Sequence, residues 1–324
     1  MGSVNHQFGV GAETTYGTSV VPNKWYAVLG AELKPKFGYA ISQGMVPGRT
    51  LPQASQINQT TRDGEGVVNL EAPRTGLGFF LQHMLGSDAP TSVQQATTTA
   101  YLQTFVKGGF LKNFTAQVGA QQVDTPSSVA PFTGVSCKVE GWSISVDVGG
   151  FVIIDLTLTA RNVLTTVALA TANYSTTTQL YSWENCSLKL DAVVVPLVSG
   201  FKFTGALNMP KRRHVGSGPY ASEPRNTIGD TFSGSFTADF SNLTNWYDKF
   251  DANTTVNLEF EALGDIIAST FAQRFTVKMP ACKLRGDAPS LSPGLLQVEV
   301  PFEVYDPPTG APITFEYMST DVTI

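Results

Sequence analysis

The sequence predicts a mainly β protein made of two tandem β-sandwich domains, each with one short α-helix. Three observations carry this reading. Apolar and polar residues alternate along most of the chain, two short segments switch to a helical period, and the chain echoes itself at close to half its 324-residue length.

The echo is sharpest where Cys137-Lys138-Val139-Glu140-Gly141 is answered by Cys282-Lys283-Leu284-Arg285-Gly286, an offset of 145 residues (282 − 137). The same ungapped offset carries Ser145 onto Ser290, Gly149 onto Gly294 and Phe151 onto Leu296. Upstream, Gly66–Glu71 followed by an apolar pattern from Leu77 resembles Gly234–Asp239 followed by a pattern from Leu243, at offsets of 168 (234 − 66) and 166 (243 − 77). Solenoid repeats run about 20–50 residues, so these offsets indicate a whole domain copied and fused to itself. The expected boundaries are an N-terminal arm over 1–23, a first domain over 24–164, a linker over 165–178 and a second domain over 179–324.

The strands follow from period two. Trp142 to Val148 alternates, Gly149-Gly150 makes a turn, and Phe151 to Arg161 alternates again, which is the pattern of a β-hairpin. Further strands are expected over 187–195, 200–208, 230–240, 255–263, 271–279, 294–305 and 312–318, all rich in β-branched and aromatic residues. The helices follow from i, i+3, i+4 spacing: Leu77, Phe80, Leu81, Met84 and Leu85 over 75–86 with Gly86 as C-cap, and Leu243, Trp246, Tyr247 and Phe250 over 242–252 after a cap at Ser241 or Asn242. Each half also contains a long polar connection, over 44–64 and 208–229. Connections of that length tend to be functional.

Composition excludes several function classes. With 21 basic and 26 acidic residues the net charge is −5, which argues against a protein that grips nucleic acid through its phosphates. Charged residues make up 15% of the chain against a usual ~25%, so the surface is dominated by hydroxyl-bearing and small residues, as suits a chain that buries its outside against other subunits. Met1–His6 lacks the basic start and apolar run of a secretory leader, and no apolar stretch is long enough to span a membrane. Three cysteines (Cys137, Cys186 and Cys282) are too few for a disulfide scaffold and lack zinc-ligand spacing.

No catalytic constellation emerges. His6, His83 and His214 are the only histidines, and no nucleophile elbow, phosphate-binding glycine loop or His-x-x-x-His pair is present. The chain is therefore read as a non-enzyme without cofactor or metal. His83 falls between apolar helix positions and reads as a packed residue. The strongest charged feature is Lys211-Arg212-Arg213-His214, which with Arg225 in the same connection and Arg49 and Arg62 in the first marks the candidate interaction loops. Two readings of the Lys211–His214 run stand side by side: a solvated loop, or a docking loop that meets acidic residues of a neighbouring subunit. A long-stranded β protein must also hide its sheet edges or pair them with another chain, which a closed ring achieves.

These residues resemble the tail tube (major tail) proteins of long-tailed, non-contractile bacteriophages. Gly11-Ala-Glu13-Thr-Thr-Tyr16-Gly17-Thr18 looks like the Gly-x-Glu-x-x-Tyr-Gly-Thr opening found there, and the Leu77–Gly86 helix is of their type. The resemblance implies packed sheets plus a helix, rings whose inner sheets close into a β-barrel tube, and stacking through long loops and terminal arms. It implies a virion component made in the host cytoplasm that meets tape-measure, tail terminator and distal tail proteins. DNA would transit the lumen without specific binding, past strand residues such as Ser143, Ser145 and Asp147 or Thr157 and Thr159. A duplicated domain departs from the usual hexameric ring and implies trimers forming a pseudo-hexamer, or hexamers with one domain outside. The alternative class is a carbohydrate- or receptor-binding β-sandwich module, such as an adhesin or a distal tail component.

Overall fold

The computed structural model describes residues 5–44, 47–123, 125, 128–176, 178–240, 243, 246–286 and 296–324. Ser290, Gly294 and the expected helix caps Ser241 and Asn242 lie outside these residues. In chain order the elements of the first half are β1 (Gln7–Glu13), β2 (Lys24–Trp25), β3 (Gly30–Ile41), β4 (Ile57–Glu71), α1 (Gly78–Leu85), β5 (Thr91–Gln94), β6 (Tyr101–Val106), β7 (Asn113–Gln121), β8 (Val129–Asp147), β9 (Ile153–Ala160) and β10 (Asn162–Leu164). The second half contributes β11 (Cys186–Leu190), β12 (Val193–Val194), β13 (Val198–Ala206), β14 (Thr231–Asp239), α2 (Tyr247–Asp251), β15 (Val256–Ala268), β16 (Phe271–Leu284), β17 (Gln297–Val304) and β18 (Thr314–Ser319).

The protein is mainly β, with every ladder between named strands antiparallel. Two long strands organise it. The first part of β8 pairs with β7 and β10, and its second part leaves that layer to pair with β9 and β13. A register shift between Val139 and Gly141 marks the bend. Strand β16 behaves similarly: β15 runs along one side, while β18 and then β17 share the other.

The same ladder order therefore occurs on each of these strands. On β8 it runs β2-β1-β7-β8-β10 in one layer and β3-β4-β9-β8 in the other. On β16 it runs β12-β11-β15-β16-β18 and β13-β14-β17-β16. Cys137 faces Phe114 across its ladder and Cys282 faces Val256, each beside a register shift at which the cysteine's own strand carries the extra residue. Both thiols are fully buried, and burial lifts them above the usual range, Cys282 to about 12.

Between the layers lies one continuous apolar core that includes Phe8, Phe80, Phe114, Ile144 and Leu156 from the first half and Phe203, Phe236, Phe260, Phe302 and Phe315 from the second. Helix α1 is buried on all sides and ends in a left-handed Gly86, the expected C-cap. His83 sits in it between the rings of Phe79 and Phe114, at 4.7 and 4.6 Å.

Several expectations need correction. The segment expected as an arm over 1–23 contains a core strand, because Gln7–Glu13 forms β1 in the ladder with β7 and puts Phe8 and Val10 wholly in the core. The first long connection is shorter than 44–64, since β4 begins at Ile57 and pairs with β3 as far as Ile41. The second helix occupies Tyr247–Asp251 and has no buried residue of its own. It is anchored instead by Trp246, which is 2% exposed, and by the partly buried Tyr247 and Phe250.

Candidate functional site

The ladder β3-β4-β9-β8-β13-β14-β17-β16 is a sheet of eight strands that crosses from one half of the chain to the other at β8–β13. One face packs on the core through Val68, Leu156, Ile144, Phe203, Phe236 and Val300. Period two sends the alternate residues to the other, open face. A single row of directly opposed residues runs across it: Asn69, Asp155, Ser143, Thr204, Ser233, Glu303 and Lys283. Short hydrogen bonds tie the row together. Asn69 Nδ2 donates to Asp155 Oδ1 at 2.6 Å, Ser143 Oγ donates to Asp155 Oδ2 at 2.8 Å, and Thr204 Oγ1 donates to the Ser233 carbonyl at 2.9 Å.

Of the residues expected on this face, Ser143, Ser145 and Asp147 lie on it, as does the exposed Thr157. Thr159 has the same alternation but is only 2% exposed, because it pairs with Lys138 at the bend where the second half's long connection closes over it. The face carries Glu32, Glu65, Glu71, Asp147, Asp155, Asp239, Glu299 and Glu303 against Lys34, Lys36, Lys202, Lys283 and Arg285, with Glu303 held by Arg285 at 3.3 Å. Between flanking hydroxyls these carboxylates make the surface polar and net acidic.

The connection over 207–230 folds back onto the first half. Lys138, 2% exposed, donates through Nζ to the Phe110 carbonyl at 2.6 Å, to Glu223 Oε1 at 2.9 Å and to the Pro224 carbonyl at 2.9 Å. Desolvation pulls its pKa down and Glu223 opposes that shift. Arg213 forms an ion pair with Asp63 of β4. Arg62 is a strand residue rather than a loop residue: its N–H donates to the Pro219 carbonyl at 2.9 Å, and its guanidinium lies 5.3 Å from the Phe37 ring. Lys211 is half-buried, and Arg212, His214 and Arg225 are exposed. Arg49 is exposed in the other connection, at the tip of the β3–β4 hairpin. The structure thus brings Arg62 and Arg213 together with Asp63 and leaves Arg49 apart.

The opening motif is anchored to the same region. Glu13, in β1, accepts from Thr115 Oγ1 at 2.6 Å and from Ser136 N and Oγ at 2.8 and 2.6 Å. Gly17 has φ +89 and its N–H donates to Ser136 Oγ at 2.6 Å, and a Cβ there would collide with the Arg161 guanidinium. Arg161 in turn lies over the Tyr16 and Tyr220 rings at 5.7 and 4.7 Å. Burial pushes the Tyr16 hydroxyl up to about 12. The motif's polar and glycine positions therefore lock the N-terminal segment, the β8 bend and the second half's connection into one unit. Sequence reasoning did not find Glu13, Lys138 or Arg161 as structural keystones, since their partners lie far away in the chain.

Among the described residues no cluster of His, Cys, Asp and Glu has the arrangement of a metal site, and no helix is long and apolar enough to cross a membrane. No curated protein matches the chain. A family model described as "Phage tail tube protein" matches residues 3–304, nearly the whole length. With its antiparallel β architecture and an open polar sheet face, the chain belongs to the phage tail tube protein family, a structural component of the virion tail.

Proposed function

We propose that the chain is a duplicated tube subunit, three copies of which close into a pseudo-six-fold ring, and that stacked rings form the conduit for DNA. The observation that carries this reading is the β8–β13 ladder, from Gly200 opposite Asp147 to Ala206 opposite Gly141. It joins a four-stranded unit of one half to a four-stranded unit of the other, edge to edge. Among the described residues β3 pairs only with β4, so its outer edge has no partner within the chain. An edge strand this long has to be covered or paired. Repeating the β8–β13 relation between chains covers it, and three chains of eight strands each complete a closed barrel.

A pair of clefts supports the same reading. One, of 280 Å³, lies at the start of β13 and is walled in part by Val146 and Asp147 of β8 and by Val148 just after it. The other, of 550 Å³, lies before β3 against Phe8 and Val118, at the matching place in the ladder order. Among the described residues no strand walls it as β8 walls the first, which suits a site completed by a neighbour. In the closed ring the net acidic, hydroxyl-rich face would line the lumen and repel phosphates, so that DNA slides without being held. Arms and loops would join rings axially, and tape-measure, terminator and distal tail proteins would cap the tube.

Negative-stain electron microscopy of the purified chain, fresh and after concentration, tests this. Hollow, evenly striated tubes are expected. A compact soluble oligomer at every concentration and in the presence of tail initiator proteins would overturn it in favour of a receptor- or carbohydrate-binding module.

A further inference from the structure

Close along the chain to the Phe110 and Pro224 carbonyls that hold Lys138, a second lysine crosses between the halves. Lys107 follows β6, and its Nζ lies 3.0 Å from Oδ2 of Asp230, the residue before β14. The same oxygen accepts from Asn226 Nδ2 at 2.6 Å. An amine and a carboxamide thus share one carboxylate oxygen, and their nitrogens are no farther apart than the sum of those two distances. Among the described residues no other lysine–carboxylate pair has a side-chain amide on the oxygen it uses.

Both sides are held in place. Gly108 N and Phe110 N donate to the Leu85 and Gly86 carbonyls at 3.0 and 3.2 Å, which pins the chain after β6 to the end of α1. Asn208 does the same for the turn over 226–230. Its N donates to Asp230 Oδ1 at 2.8 Å, its Nδ2 donates to the Ile228 carbonyl at 2.8 Å, and its own carbonyl accepts from Thr227 N at 3.0 Å. The Asp230 side chain is 7% exposed and that of Lys107 27%. Asn226 Oδ1 is buried without a hydrogen-bond donor. Buried amide oxygens are rarely left so, and here the unpaired group sits beside an amine.

We propose that Lys107 and Asn226 become joined by an intramolecular isopeptide bond, with Asp230 as the proton carrier. Groups held side by side react without the entropy cost of being brought together. Asp230 Oδ2 takes a proton from the Lys107 ammonium, and the Nζ lone pair attacks Asn226 Cγ. The bond from Cγ to Nδ2 breaks as Asp230 passes the proton to Nδ2. A second Nζ proton follows by the same route, so that an amide N–H remains and ammonium leaves past the open side of Lys107. The carboxylate ends as it began, and no oxidant, reductant or nucleotide enters. The product closes residues 107–226 into a covalent loop that ties the connection of the second half to the first half. Such a closure restricts the unfolded chain as a disulfide does, in a protein whose cysteines are unpaired. The link forms within one chain and does not depend on the ring.

Intact mass spectrometry of the denatured full chain tests this. The unsubstituted protein, kept folded until its mass stops changing, is expected to weigh one ammonia less than its residues sum to. Trypsin should then leave Lys107 uncleaved and release a branched peptide that joins it to Asn226. Lys107→Arg, which keeps the ion pair, and Asp230→Asn should each restore the missing ammonia, with circular dichroism reporting that the variants fold. A full mass in the unsubstituted chain would overturn the bond whatever the variants do. An ammonia loss that persists in Lys107→Arg would also overturn it, since that marks an asparagine cyclised on its own backbone. Loss of water with Lys107 joined to Asp230 would overturn the assignment of Asn226.

Discussion

Trp142 lies directly opposite Gly205 across the β8–β13 ladder, and its indole occupies the space in which a side chain at 205 would stand. The indole Nε1 donates to the Met84 carbonyl of α1 at 2.8 Å, and the ring packs edge-on against Phe203 and Phe315 at 5.1 and 5.5 Å. One ring therefore clamps the helix of the first half to the sheet of the second. Gly205→Val should destabilise the fold by about 1–3 kcal/mol through overpacking, read as a lower midpoint in urea unfolding. An unchanged midpoint would mean that the junction tolerates separation of the halves.

Removing one partner of the Lys138–Glu223 pair should be costly, because Lys138 is almost completely buried and three acceptors converge on its ammonium. Lys138→Met is expected to lose about 3–5 kcal/mol. Glu223→Gln, at the more exposed partner, should lose less. Limited proteolysis of the 207–230 connection should accelerate in both variants, and equal protection in Lys138→Met would contradict the clamp.

Acidification should expose His83. Burial holds its imidazole at about 3, far below the ordinary 6.5, so the folded state keeps it neutral while the unfolded chain binds a proton. The unfolded state then holds more protons between those two values, and stability falls as pH drops through 6.5 toward 3. The loss for this group approaches about 5 kcal/mol at the bottom of the window. His83→Leu should flatten the stability slope over that range. A slope as steep as that of the unsubstituted protein would assign the acid sensitivity to carboxylates instead.

Phe8 is fully buried in β1 and stacks on Phe80 at 6.4 Å. Phe8→Ala should therefore cost about 3–5 kcal/mol, and removal of residues 5–13 should compromise folding itself rather than only assembly. Circular dichroism melting distinguishes the two: a truncated chain that melts like the full one would restore the arm reading for this segment.

Much of the fold was legible where local pattern and tertiary fate agree. Trp142, Ile144 and Val146 alternate in the sequence and point into the core, the Gly149-Gly150 pair turns with Gly149 at φ +85, and Leu77, Phe80, Leu81 and Met84 mark a helix that is buried. Strand β1 was hidden because Gly9 and Gly11 dilute its β propensity, yet glycine is required there for the Trp25 ring and the Val20–Pro22 segment to lie against the backbone. The candidate loops were found by composition, but the division between Arg213, paired with Asp63 across 150 residues of chain, and the exposed Arg212 beside it depends on contacts no local pattern encodes. Lys138 and Lys283 match in the sequence echo and differ in fate, one fully buried in a clamp and the other half-buried beside a carbonyl of Asn253.

In the proposed ring one chain fills two adjacent positions through its β8–β13 ladder. Three-dimensional reconstruction of assembled tubes by cryo-electron microscopy tests it most directly. Three chains per ring are expected, with β3 of each continuing the sheet of its neighbour and both halves on the lumen. Six chains per ring with the second half outside the barrel would contradict it.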